Sequence, residues 1–214
     1  MNATALPPRP ELVRPELGAL LSVVFLLIDE LQSIVLHISS ARPGEGTTTV
    51  ARDLAAAAAS TGWCRVALVD AHPAPSRALG AASEDGTGLL EYFDRGEAPV
   101  LRPAKIGPAG VDVARLSSAG QPVSRIESVR GLYATLRKTY SLVVVDCPAV
   151  FASQQTLVLA PAANETILVM EAERTPIGDV ARAREALEQR GASILGAVMN
   201  KRRLRIPRLL ERLL

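Results

Sequence analysis

Aromatic side chains are scarce in this sequence: three phenylalanines, three tyrosines and one tryptophan in 214 residues. A core must therefore be built from aliphatic groups, which suits a parallel sheet covered by Ala- and Leu-rich helices. Cysteine is nearly absent too. Two residues, Cys64 and Cys147, exclude a disulfide scaffold and point to a reducing cytoplasm. No excess of one charge is present. The net charge is +2, so the global balance gives no reason to expect nucleic acid as a partner. Long hydrophobic runs are missing as well. The most apolar stretch, LGALLSVVFLLI, covers residues 17–28 and is closed by Asp29 and Glu30. It falls short of the roughly 20 residues that a membrane span needs, so it reads as a buried or partner-facing helix. The opening MNATALPPRP has no charged segment leading into an apolar one, which argues against a signal peptide.

What is present is alternation. Residues 1–10 are Pro-rich and expected to be a flexible segment, and 11–214 read as one folded unit. Residues 11–32 suggest a helix with Pro15 in its first turn. Strand patterns then fall at 33–39, 64–70, 111–117, 141–146, 165–171 and 193–200. Helical patterns fall at 48–60, 88–96, 122–140 and 176–190, and 71–87 reads as a mobile loop. Strands alternating with helices predict an α/β fold with a doubly wound, mostly parallel sheet.

The chemistry concentrates where these elements meet. HISSARPGEGTTTVARDLA runs from a strand through a glycine-bearing loop into a helix, the layout in which backbone N–H groups surround phosphate oxygens. Arg42, Gly44, Glu45, Gly46, Thr47, Thr48 and Thr49 are the nucleotide-binding candidates. Gly44 and Gly46 supply backbone freedom, and Thr48 a hydroxyl for Mg²⁺. Thr47 stands where such loops carry the lysine that contacts the outer phosphates. Asp70 and Asp146 each end an apolar strand, where doubly wound sheets bind ligands, and two carboxylates there suit Mg²⁺ and its waters.

These segments together resemble the kinase domain of the bacterial tyrosine kinases, in the MinD/ParA-like branch of P-loop ATPases. SSARPGEGTTTVARDLA is similar to that family's S-x-x-P-G-E-G-K-S-T loop, VALVDAHP to its hydrophobic-D-x-D-x-R segment, and YSLVVVDCPAV to its Y-D-hydrophobic-D-T-P-P segment. The likeness spans roughly residues 12–214 and implies a P-loop NTPase fold binding ATP and Mg²⁺. It also implies a role in exopolysaccharide or capsule synthesis beside a membrane-embedded polysaccharide co-polymerase, at the inner face of the plasma membrane. Catalysis would then rest on Asp70 and Asp146, with Mg²⁺ held by Thr48, Asp70 and Asp146 and the adenine read by Asn200, whose bland alternative is a turn cap. A homo-oligomer is a further expectation.

The sequence departs from the family at Thr47, at His72 and Ala74 in place of the second aspartate and the arginine, and at Ala19 and Ser22 after Glu16, where an assembly motif has arginines. The end of the chain has no tyrosines, and Tyr92, Tyr133 and Tyr140 lie inside folded segments. A lost charge-assisted hydrogen bond is worth roughly 1.5–3 kcal/mol, about 10–100-fold in ATP binding, and phosphoryl transfer should suffer more. The expectation is a pseudokinase that retains nucleotide binding. An active tyrosine autokinase using Arg42, and a MinD/ParA-type positioning ATPase, are the alternatives. Arg42 is open between a phosphate contact in a neighbouring copy and a solvated loop residue. His72 reads as a loop histidine rather than a metal ligand, His37 as a core histidine, and Cys147 as a small buried residue. The basic, Leu-bearing stretch 201–214 is open between docking on the sheet and peripheral membrane contact.

Overall fold

The computed structural model describes residues 15–74, 86–106, 109–121, 123 and 125–201. The expected flexible segment 1–10, most of the loop at 71–87 and nearly all of the basic stretch 201–214 lie outside the described residues. Seven strands form one sheet: β1 (Ile34–Ser40), β2 (Val66–Asp70), β3 (Arg102–Ile106), β4 (Ala109–Arg115), β5 (Leu142–Asp146), β6 (Glu165–Glu171) and β7 (Ile194–Asn200). Their order is β3-β4-β2-β5-β1-β6-β7. Every pair is parallel except β3–β4. The doubly wound α/β expectation is met.

Successive side chains of a strand point to opposite faces, and here each face carries its own aliphatic layer. Ile34, Leu36 and Ile38 of β1 and Leu142 and Val144 of β5 pack with α1 (Pro15–Leu31) and α2 (Thr47–Ser60). Val35, Val143 and Val145 face the other way, toward α4 (Ile126–Leu136) with its Leu132, Tyr133 and Leu136. The alanine run of α2 buries Ala51, Ala55 and Ala58 completely, letting that helix lie close to the sheet. The apolar helix α1 divides its surface. Leu17, Leu21, Val24 and Phe25 enter the core, whereas Leu26 is 63% exposed and Val23 also faces out.

One strand and one α-helix were not expected. β3 is a mostly exposed antiparallel edge of sequence RPAKI, with neither the apolar run nor the clear alternation that marks a strand. The short helix α5 (Gln154–Leu159) starts at Ser153, whose side chain accepts from the Gln155 N–H. The helix expected at 122–140 occupies only Ile126–Leu136, and the strand expected at 111–117 is shifted to Ala109–Arg115. α3 (Leu89–Asp94) and α6 (Ile177–Glu188) fall where expected.

Among the expected core groups, Cys147 and His37 are fully buried. His37 Nε2 lies 2.9 Å from the Tyr133 hydroxyl, and burial lowers its pKa from 6.5 to about 3. An unfolded histidine binds a proton below about pH 6.5, whereas the folded one waits until about 3. The stability this residue contributes is therefore complete above the unfolded value and is lost as the pH falls, at up to about 1.4 kcal/mol per pH unit. Urea unfolding at pH 5 should show a loss of about 2 kcal/mol relative to pH 7 from this residue, and His37→Gln should remove that component. Superimposable pH profiles for the two proteins would contradict it.

Candidate functional site

Three strand ends build the site. β5 lies between β1 and β2, and Asp70 and Asp146 are direct register partners across the β2–β5 pair. The loop between β1 and α2 crosses beside them. Gly44 and Gly46 sit at φ +86° and +95°, in the left-handed region that favours glycine. At Gly46 a second constraint applies: a Cβ would lie 2.0 Å from Asn200 Nδ2. The helix begins at once after Gly46, and the first amide bonded back into it is that of Val50, to the Gly46 carbonyl at 3.0 Å. The amides of Thr47, Thr48 and Thr49 precede that bond at a helix N-terminus, the ordinary cradle for an anion.

The three threonines differ in environment. Thr47 is buried, and its hydroxyl donates to Ser40 Oγ at 2.9 Å, while Ser40 donates to the Arg42 carbonyl at 2.9 Å. Thr47 thus stitches the loop internally and adds no charge. Thr48 is half-buried and its hydroxyl faces Asp146, whereas Thr49 is exposed.

Four contacts tie this loop to the β6–α6–β7 side. The Arg42 guanidinium pairs with buried Asp179 of α6. Glu45 accepts from the Arg42 amide at 3.0 Å and from the Thr175 hydroxyl. Asn200 Nδ2 donates to the Glu45 carbonyl at 3.0 Å. Lys201 Nζ donates to the Gly44 carbonyl at 2.6 Å and pairs with Glu171 at 3.0 Å. That Lys201 contact is the first cause holding Glu171 below the usual carboxylate range. Asn200 and Arg42, considered for adenine and phosphate, here grip the loop itself.

Opposite the loop, Asp70 and Asp146 are buried, at 2% and 0% exposure. Asp70 Oδ1 accepts the His72 amide at 2.9 Å and meets His72 Nδ1 at 2.9 Å. The same ring nitrogen is 3.6 Å from Asp146 Oδ2. His72, expected as an ordinary loop residue, therefore bridges both carboxylates. Neither oxygen of Asp146 has a partner at hydrogen-bonding geometry, although the Thr48 hydroxyl is close enough to favour its charge. Burial pushes the Asp146 pKa up to about 6, against the pull of His72 and Thr48. For His72 burial acts downward, but the Asp70 hydrogen bond and the two carboxylate charges outweigh it, and the pKa is raised.

Sequence reasoning missed Arg115 as a site neighbour and Lys201 as a loop contact. Arg115 is 5% exposed and its guanidinium donates to the His72 carbonyl at 3.0 Å. Its signal was its place at the end of β4, in register with Asp70.

No family model matches the chain. Among curated proteins it is similar to the tyrosine-protein kinase CpsD of Streptococcus pneumoniae serotype 4, 27% identical over 177 residues that cover 78% of this chain and 75% of that one. It is likewise similar to the tyrosine-protein kinase YwqD of Bacillus subtilis, 28% identical over 189 residues, 86% of this chain and 78% of that one. Among solved structures, the kinase domain of the Escherichia coli tyrosine kinase ETK superposes with a TM-score of 0.70 over 88% of this chain and 76% of that one, at 23% identity. A MinD from Pyrococcus horikoshii complexed with Mg-ADP superposes at 0.58 over 77% and 69%, at 21% identity. The named homologues are thus tyrosine-protein kinases and the fold is that of their domains, with MinD-like P-loop ATPases as further neighbours.

The glycine geometry is open to a direct check. Gly44→Ala meets no atom within 4 Å and should cost only the left-handed penalty of about 1–2 kcal/mol. Gly46→Ala should cost clearly more, because Asn200 must move, and the double variant Gly46→Ala/Asn200→Ala should recover part of the difference. Equal losses for the two glycines in chemical denaturation would refute this account.

Proposed function

We infer that this relative of the bacterial tyrosine kinases works as a pseudokinase. It is a nucleotide-responsive scaffold supporting exopolysaccharide or capsule assembly, with weak or no phosphoryl transfer. One observation carries the reading. The loop position that should present a lysine holds a threonine turned inward to Ser40, and the nearby cations Arg42 and Lys201 are engaged with Asp179 and with Gly44 and Glu171.

The residues present fit a magnesium nucleotide in part. The glycine backbone and the amides of Thr47–Thr49 suit phosphate oxygens, and Thr48, Asp70 and Asp146 offer the oxygen ligands that Mg²⁺ prefers. Thr47 supplies no charge to an outer phosphate, and His72 brings nitrogen where a hard ion favours oxygen. When bound, ATP would offer a transferable phosphoryl group. This chain would hold it by backbone amides, with no cation of the loop aimed at the charge that develops on transfer.

Similarity to kinases of this type supports a membrane-embedded polysaccharide co-polymerase as partner and a position at the inner face of the plasma membrane. No helix among the described residues is long and apolar enough to cross a membrane.

Calorimetry with ATP and Mg²⁺ should give binding at least tenfold weaker in the natural protein than in Thr47→Lys, since one charge-assisted contact is worth about 1.5–3 kcal/mol. The natural protein incubated with ATP should carry no phosphotyrosine. Tyrosine autophosphorylation that disappears in Asp146→Ala would establish the active-kinase alternative instead.

A further inference from the structure

We propose that Asp70, His72 and Asp146 form a binding site for a first-row transition-metal dication, of which Zn²⁺ is the representative probe. The site takes the ion through one imidazole nitrogen and two carboxylates, with no nucleotide required.

The geometry is that of a ligand set. One donor atom from each of the three residues lies within 4.8 Å of the other two. His72 Nδ1 is 2.9 Å from Asp70 Oδ1 and 3.6 Å from Asp146 Oδ2. Two metal–ligand bonds of about 2.1 Å meeting at octahedral or tetrahedral angles place their ligand atoms about 3.0–3.4 Å apart, close to these separations. The backbone fixes the donors independently of any ion. Asp70 and Asp146 are paired across two buried strands, and the His72 amide is bonded to Asp70 Oδ1.

A second observation points to a ligand. Asp146 is fully buried, and neither carboxylate oxygen has a partner at strict hydrogen-bonding geometry; the uncharged Thr48 hydroxyl stands near, and one oxygen faces the His72 ring. A buried carboxylate left so is costly unless a charge is supplied to it. The buried guanidinium of Arg115, beside His72, is turned instead to the backbone carbonyls of His72 and Ser117.

The donor types then select the ion. Mg²⁺ takes oxygen and keeps its waters, whereas imidazole suits Zn²⁺ and its neighbours in the first row. On binding, Nδ1 gives up any proton it shares with Asp70 and offers its lone pair, so the dication replaces a proton between the same groups. His37 is buried against Tyr133, and the chain has two histidines, so imidazole coordination has one source.

The test uses the full chain without an affinity tag and without nucleotide. Calorimetry with Zn²⁺ and with Mg²⁺ should give one Zn²⁺ per chain and an affinity at least 100-fold above that for Mg²⁺. His72→Asp, which restores an oxygen donor, should weaken Zn²⁺ at least tenfold and leave Mg²⁺ unweakened. Co²⁺ added to the natural protein should give visible d–d bands that vanish in His72→Ala, without the near-ultraviolet thiolate band that binding at Cys64 would produce. Circular dichroism establishes that each variant is folded. The proposal is overturned if the folded natural protein takes up no Zn²⁺, if Mg²⁺ binds as tightly, if both His72 variants keep the natural affinity, or if the Co²⁺ spectrum reports thiolate. Since ATP is absent throughout, failure here leaves the pseudokinase reading intact, and kinase activity would leave the metal site intact.

Discussion

Two carboxylates side by side at the end of a buried strand pair set the terms for this site. Asp70 and Asp146 are fixed by strand register rather than by their own chemistry, so the protein cannot separate them without breaking β2–β5. Two negative charges at that distance, cut off from water, must be neutralised by protonation, by a cation or by both. His72 supplies part of this by standing against both. Burial raises the Asp146 pKa, with the Asp70 charge adding to it, and the two carboxylates raise that of His72 against its own burial.

The glycine loop between β1 and α2 shows the opposite economy. Its shape is held by groups of the protein itself: Asp179 on Arg42, Thr175 and Asn200 on Glu45, Lys201 on the Gly44 carbonyl. Glu45, 4% exposed, is central, accepting from both the loop and the neighbouring turn. A loop so anchored keeps its cradle whether or not phosphate is present. The shape of the loop therefore does not depend on a lysine at position 47, where Thr47 bonds to Ser40 instead.

Most of the fold was legible because its central strands are aliphatic-rich runs with both faces buried, as in IVLHISS and LVVVD. β3 was not, because an exposed edge strand needs neither property, and Pro103 within it argues against a strand. α5 escaped because six residues after a proline-containing turn carry too little periodicity. The site was legible where the chain is local: the glycines, Thr48 and the strand-end aspartates. The approach of His72 to Asp146 was not legible, because Asp146 is remote in sequence and comes near only through the β2–β5 register. Lys201 looked like the start of a basic stretch because only the folded β7 brings it to Gly44.

The departures at Thr47 and His72 share a physical direction. A lysine at the first position of α2 would add positive charge where the helix dipole is already positive, an unfavourable placement of about 0.3–1 kcal/mol unless an anion is bound. Threonine removes that charge and finds a neutral partner in Ser40. A third carboxylate at position 72 would add repulsion to a pair already short of compensation, whereas a histidine relieves it. Each change removes like-charge crowding that a bound magnesium nucleotide would otherwise offset. A site tuned for turnover keeps such strain because its substrate releases it. Here that charge is missing at two separate points, position 47 and position 72, while Gly44 and Gly46 still hold left-handed geometry. The fold thus keeps the backbone that shapes a ligand site, while threonine and histidine stand where a lysine and a carboxylate would add charge.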